Sequence, residues 1–174
     1  MVMIVPAAFD DIDELCVLVN AAYRGQGHRP GWTSEVDLIE GTRTSPASLR
    51  AMLGKEITIL LLRLPDGGKL AGCIAVESHG GPAWHISMLA IDPQEQATGL
   101  GRTLLTAAEK YVAARGAALA QMTVIQKRES LIAWYERRGY QRTGATVPFP
   151  YEDESVGKPL HADLHFLLLE KALD

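Results

Sequence analysis

The sequence predicts an α/β fold in which a central mixed sheet of about six to seven strands is flanked by about four to five helices. Three observations carry that prediction. Between residues 58 and 91, three strand-like runs follow one another across two turn-forming tetrapeptides, which makes them antiparallel neighbours. From residue 100 onward the apolar period switches to that of a helix, and helix and strand then alternate to the end of the chain. With 174 residues, 47% of them hydrophobic, the chain fits one core, so 1–174 is read as a single domain.

Residues 2–5 read as a short strand ended by Pro6. Phe9, Ile12, Leu15, Cys16, Val19 and Ala22 recur at three- and four-residue steps behind the acids Asp10, Asp11 and Asp13, which predicts a helix over about 10–22. Glycines and a proline make 24–32 a loop with Trp32 in it. Two short helices are expected next, over 34–39 and over 45–53, the second with Ser45 as its cap and Pro46 in its first turn. Strands over 58–64 and 69–77 flank the hairpin turn Pro65-Asp66-Gly67-Gly68, and His79-Gly80-Gly81-Pro82 leads to a strand over 84–91. Leu100, Leu104, Ala107, Ala108, Tyr111 and Val112 then line a helix stopped by Gly116. A strand over 118–126, a helix over 129–138 ended by Gly139, and strands over 140–147 and 163–170 complete the chain. The long connection 148–162 carries Phe149 and Tyr151, which favours a functional loop.

Composition excludes several partners. A formal charge of −4 provides no general attraction to nucleic acid or to anionic membranes. No window approaches the ~20 apolar residues of a membrane span, and the first residues lack the pattern of a signal peptide, so a cytoplasmic setting is expected. Cys16 and Cys73 read as small buried hydrophobes. His161 and His165 lie four apart, but in a strand that spacing only repeats a face, so no metal is expected there.

The segment Gln96-Ala97-Thr98-Gly99-Leu100-Gly101 carries the binding chemistry. It follows a strand ending at Ile91-Asp92-Pro93 and opens a helix, so unpaired amides of the first turn point outward and two glycines permit close approach. An anion there gains hydrogen bonds and the helix dipole, and Arg102 adds charge. A pyrophosphate suits it. The P-loop pattern fails, because Arg102-Thr103 stands where Lys-Ser or Lys-Thr is needed and the spacing is wrong. The dinucleotide pattern fails too, since Leu104 occupies the third small position and no acid follows about 20 residues on.

Met88-Leu89-Ala90-Ile91-Asp92-Pro93 followed by Gln96 to Gly101 resembles the acetyl-CoA motif of the GCN5-related N-acetyltransferase (GNAT) superfamily. Leu131 to Tyr140, with Tyr135 and the Gly139-Tyr140 ending, is similar to a second family element. The resemblance covers about 65–170. It implies a GNAT fold, acetyl-CoA as acyl donor and no metal. It places the cofactor on the 96–101 loop with Arg102 and Thr103, and the pantetheine arm along Leu89, Ala90 and Ile91, an amide near Leu89 acting as oxyanion donor. Tyr135 matches the family's general acid. Two positions depart from the pattern yet are still expected to bind the cofactor: Ala97 stands where a glycine often follows Gln, and Arg128 near where relatives carry an asparagine close to CoA.

Two assignments concern the acceptor. On the strand 84–91, regular alternation sets His85, Ser87 and Leu89 on one side and Trp84, Ile86 and Met88 on the other, and His85 falls where some family members carry their base. Glu77 and Glu35 are the reserves. A primary amine of a small molecule or peptide is expected to lie against Trp32, Glu35, Phe149 and Tyr151, the acid residues suiting a cation. An idle acyl-CoA sensor or interaction module is the alternative, and exposed edge strands allow a homodimer.

Overall fold

In a computed structural model, which describes residues 1–25, 34–66 and 68–174, helices and strands form where the apolar periods place them, with one exception. The strands are β1 (Met3–Pro6), β2 (Ile39–Glu40), β3 (Thr58–Arg63), β4 (Leu70–Ser78), β5 (Ala83–Ile91), β6 (Leu119–Ile125), β7 (Gln141–Pro148), β8 (Lys158–Pro159) and β9 (His165–Ala172). The helices are α1 (Ile12–Arg24), α2 (Pro46–Gly54), α3 (Leu100–Ala113) and α4 (Glu129–Glu136). Seven strands make one sheet in the order β1-β3-β4-β5-β6-β9-β7, and β2 with β8 make a second, two-stranded one. Within the large sheet β5 and β6 run parallel and every other neighbouring pair antiparallel.

Both faces of the sheet are covered. Leu15 and Val19 of α1 and Leu49 of α2 pack on one face, and Leu104 and Ala108 of α3 with Ile132 of α4 pack on the other. Its place between the two layers explains why β4 is buried at seven successive positions and reads as a continuous apolar run. Ser45 caps α2 as expected, its hydroxyl accepting from the Ser48 amide at 3.1 Å. Cys73 is fully buried, which pushes its thiol up to about 12, whereas Cys16 is only half-buried.

The exception is 34–39. Instead of a helix it forms a turn, with the amides of Leu38 and Ile39 donating to the Glu35 carbonyl, and then enters β2. Pairing of Ile39 with Pro159 and Glu40 with Lys158 outweighs the weak helical pattern. The 148–164 connection is thereby folded back onto the chain near α1. At its crossing Gly157 has φ +98, and a Cβ there would lie 2.7 Å from the Glu40 carbonyl oxygen, so only glycine fits.

Two features of β5 position the site. Cys73 pairs with Ala90 but Ala75 pairs with Ser87, so β5 carries an extra residue at Met88–Leu89, and Met88 sits at φ +54. This bulge corrects the regular alternation expected from sequence. Trp84 and Ile86 face α3 and α4, and beyond the bulge Leu89 and Ile91 take over that face while Met88 and Ala90 turn toward α1. The second feature is that β5 and β6 pair over only three positions, ending at His85 with Gln121. Beyond that point the two strands part.

Ala97 adopts φ +65, a region in which the Cβ costs roughly 1–2 kcal/mol. Ala97→Gly should therefore raise stability, by about 0.5–1 kcal/mol after the entropy of the added glycine is deducted. A chemical denaturation midpoint measures this, and a lower midpoint in the variant would contradict the strain.

Candidate active site

The loop that leaves β5 is built by its own side chains. The Asp92 amide donates to the Ala71 carbonyl at 2.8 Å, and Asp92 Oδ1 accepts from the Gln94 amide at 2.9 Å, starting a 3-10 turn at Pro93. Lys69 Nζ ties down Asp92 at 2.9 Å and Glu95 at 3.1 Å, so both loop carboxylates are paired, Glu95 at the rim of the cavity beside the helix start. Gln96 Nε2 donates to the Ile91 carbonyl at 3.2 Å and Thr98 Oγ1 to the Glu95 carbonyl at 2.6 Å. Gly99, at φ +82, then turns the chain into α3, and a Cβ built on it would meet nothing within 4 Å. Open space therefore lies against this backbone.

That space is a cavity of about 510 Å³. Gln96, Ala97, Gly99, Leu100, Gly101 and Arg102 line one side, and Ser130, Leu131 and Trp134 of α4 line the other with Arg137 and Arg138. Thr98 and Thr103 stand apart: the first bonds within the loop, and the second donates from Oγ1 to the Gly99 carbonyl at 3.2 Å. The residues present fit a polyphosphate. Arg138 stacks on Trp134, its guanidinium carbon 3.6 Å from the ring centroid, while its buried Nε has no hydrogen-bond partner among the described residues. Burial, then repulsion from Arg137 and Arg102, pull its pKa down, so an anion among the three would relieve it.

A second cavity, of about 290 Å³, opens where β5 and β6 part, and Leu131 lines both. Tyr135 of α4 reaches it, 6% exposed, edge-on to Trp134 at 5.1 Å and to Tyr140 at 5.8 Å. Its hydroxyl makes no hydrogen bond among the described residues. Burial raises its pKa well above that of an ordinary phenol, with Arg128 and Arg138 acting in the opposite sense. His85 lines the same cavity from the last paired position of β5. Its pKa lies below the usual 6.5 because burial, and then His79, outweigh Glu77. Glu77 sits opposite His85 on β4, outside the cavity lining.

Across from Tyr135, the Tyr23 hydroxyl donates to the Leu89 carbonyl at 2.9 Å, and burial pushes its pKa up to about 12. Glu35 sits between two arginines, Arg24 at 2.6 Å and Arg128 at 3.2 Å, all with side chains at most 10% exposed. This corrects the expectation that Glu35 suits a cationic amine, because its carboxylate is already spanned by guanidinium groups. Arg24 also donates to the Val156 carbonyl at 3.1 Å, and Arg43 lies over the Tyr23 ring at 5.1 Å. Phe149 is buried in the wall, stacked on Phe166 at 5.7 Å. Tyr151 is outside the lining; its hydroxyl donates to the His161 carbonyl at 2.9 Å and accepts from the Leu164 amide, which clamps its own loop.

The structure thus brings together most of the expected positions. Leu89 lies at the bulge lining the second cavity, Ile91 lines the first, and Ala90 turns toward α1. Trp32 lies outside the described residues. No group of three or more metal-ligating side chains occurs among the described residues, and His161 Nε2 lies instead 3.1 Å from the Asp37 carbonyl. No helix among them is long and apolar enough to cross a membrane. Tyr23, Arg24, Arg43, Arg137 and Arg138 were not singled out from sequence. The adjacent arginines before Gly139 were the one available signal, and they read equally well as ordinary cations at a helix C-terminus.

Comparison with known proteins agrees with this fold. The fold is similar to that of the ribosomal-protein-S18-alanine N-acetyltransferase from Escherichia coli, at 17% identity and a TM-score of 0.70 over 100% of this chain and 95% of that one. It is also similar to an IAA acetyltransferase from Bacillus cereus, at 15% identity and a TM-score of 0.68 over 99% of this chain and 100% of that one. A GNAT-family acetyltransferase from Staphylococcus aureus aligns at 12% identity with a TM-score of 0.68, covering 100% of both chains. No curated protein sequence matches the chain. Residues 34–149, well over half of the sequence, match the family described as acetyltransferase (GNAT) domain, and the chain belongs to that family of acyl-CoA-dependent acyltransferases.

Proposed function

We propose that the protein is an N-acetyltransferase that moves an acetyl group from acetyl-CoA to the primary amine of a small molecule or peptide by direct attack, with Tyr135 as general acid and His85 as general base. The observation that carries this reading is the position of Tyr135. Its side chain is buried, and its hydroxyl keeps its proton, makes no hydrogen bond among the described residues and lines a cavity adjoining the arginine-lined one. Amides of 96–101 with Arg102, Arg137 and Arg138 would hold the pyrophosphate, and the parted edge of β5 at Leu89 to Ile91 would hold the pantetheine arm. Bound acetyl-CoA supplies an activated thioester acyl group and leaves as a thiol.

The chain's own residues account for the remaining work. Leu89 has no counterpart in the register of either neighbouring strand, so its amide can donate to an acyl oxygen that gains charge. His85 is neutral at pH 7, since its pKa lies below 6.5, and its imidazole can take the proton of an ammonium. Tyr135 keeps its proton at neutral pH and donates it toward a departing sulfur. The raised pKa makes it a weak acid, and a thiol leaves readily, so the hydroxyl assists rather than governs the reaction.

Tyr135→Phe should accordingly lower kcat about 10- to 100-fold, at or below the low end of general-acid effects, and leave the dissociation constant for acetyl-CoA unchanged. Unchanged turnover would remove Tyr135 from the acid role. In the wild-type enzyme kcat should stay level as the pH falls from neutrality and drop only below 6.5, where His85 becomes protonated. His85→Gln should lose that limb together with most of kcat. An identical profile in the variant would remove His85 from the base role. Acetyl-CoA binding without acetylation of any amine in a broad panel would favour the idle-sensor alternative.

A further inference from the structure

The acceptor cavity is cationic, although the chain as a whole carries a net charge of −4. Three guanidinium groups line it, those of Arg24, Arg43 and Arg128, against the single carboxylate of Glu35 among the described residues. Glu35 spans Arg24 and Arg128. Arg43 has no carboxylate within ion-pairing distance among the described residues and stands over the Tyr23 ring. Arg24 is 3% exposed at its side chain, yet its Nε has no hydrogen-bond partner among the described residues. The stretch 26–33 contains no acidic residue that could restore neutrality. His85, held neutral by burial, adds no compensating charge.

Positive charge in excess inside a partly enclosed cavity is costly unless an anion completes it, although half-buried Arg43 keeps some contact with water. We propose that the cavity is an amino-carboxylate subsite. In it the acceptor's carboxylate is held by Arg43 and the Arg24–Glu35–Arg128 group while its amine faces His85. The remaining walls, Ile39, Phe149, Val156 and Phe166, set the third requirement, an apolar side chain. The thioester end of acetyl-CoA takes part of the cavity of about 290 Å³, so the room left suits an acceptor no larger than a free amino acid. A simple amine or the amide of an amino acid would leave the excess charge uncompensated. The assignment rests on the acetyl-transfer reading of the same site and adds the class of acceptor.

The test uses matched triplets built on phenylalanine, leucine and methionine, each as the free amino acid, its carboxamide and its decarboxylated amine. CoA release from acetyl-CoA gives kcat/KM, and calorimetry in the presence of CoA gives the dissociation constants without requiring turnover. At least one amino acid should exceed its amide and amine by about 10- to 100-fold in kcat/KM, the range expected of a charge-assisted hydrogen bond. The carboxamide's amine is the less basic and so more often neutral, which biases the comparison against the proposal. In Arg43→Gln, with folding checked by its thermal midpoint, the ratio should fall toward one through KM for the amino acid. Amides or simple amines used as well as the amino acids would overturn the subsite and leave acetyl transfer standing. Amino acids that bind in preference to their amides without being acetylated would support the subsite and count against the acetyl-transfer reading. Neither binding nor turnover of any amino acid would overturn the subsite.

Discussion

The early end of parallel pairing between β5 and β6 is the constraint on which the site depends. Only Ala83, Trp84 and His85 find partners on β6. The strands stay rigid after parting, because β5 remains paired to β4 as far as Ile91 and β6 remains paired to β9 as far as Ile125. Backbone groups along the opened edge still need partners. Tyr23 supplies one to the Leu89 carbonyl and Gln96 another to that of Ile91, so α1 and the 96–101 loop are both anchored to the edge they frame. The second cavity lies at this opening, and the bulge at Met88 sets which side chains look into it.

Charge is distributed with equal consistency. The loop acids Asp92 and Glu95 are drawn off by Lys69, leaving Arg102, Arg137 and Arg138 to dominate the first cavity. In the second, Glu35 holds two arginines in place without cancelling a third. A buried Arg–Glu–Arg group contributes little net stability, and removing the shared carboxylate would leave two buried cations facing each other. Its value here is positional: it joins the end of α1, the 34–39 turn and the segment before α4 around one cavity.

Much of the fold was legible because it follows local rules. The amphipathic runs behind α1 and α3, the capping Ser45, the glycine turns and the alternation after residue 100 all report on neighbours close in sequence. That the 96–101 loop and Tyr135 line adjoining cavities was legible for the same reason, since each sits in a contiguous motif. What escaped depends on contacts distant in sequence. The turn at 34–39 replaces a helix because β8, some 120 residues later, pairs with β2. The bulge rests on a methionine at positive φ, which no local pattern announces. The arginine-rich wall assembles residues 24, 43 and 128 from three separate segments, and Glu35 read as an acid available to a substrate until its two partners came into view.

The most direct test of the acyl-CoA assignment is a thermal shift of the folded protein with acetyl-CoA, with CoA and with NAD. Ligand at ~100 times its dissociation constant adds about 2.7 kcal/mol, or roughly 5 to 10 °C for a chain of this length. Both CoA species should produce that rise and NAD should produce none. A midpoint unmoved by acetyl-CoA and CoA would contradict the assignment of the 96–101 loop and the arginines around it.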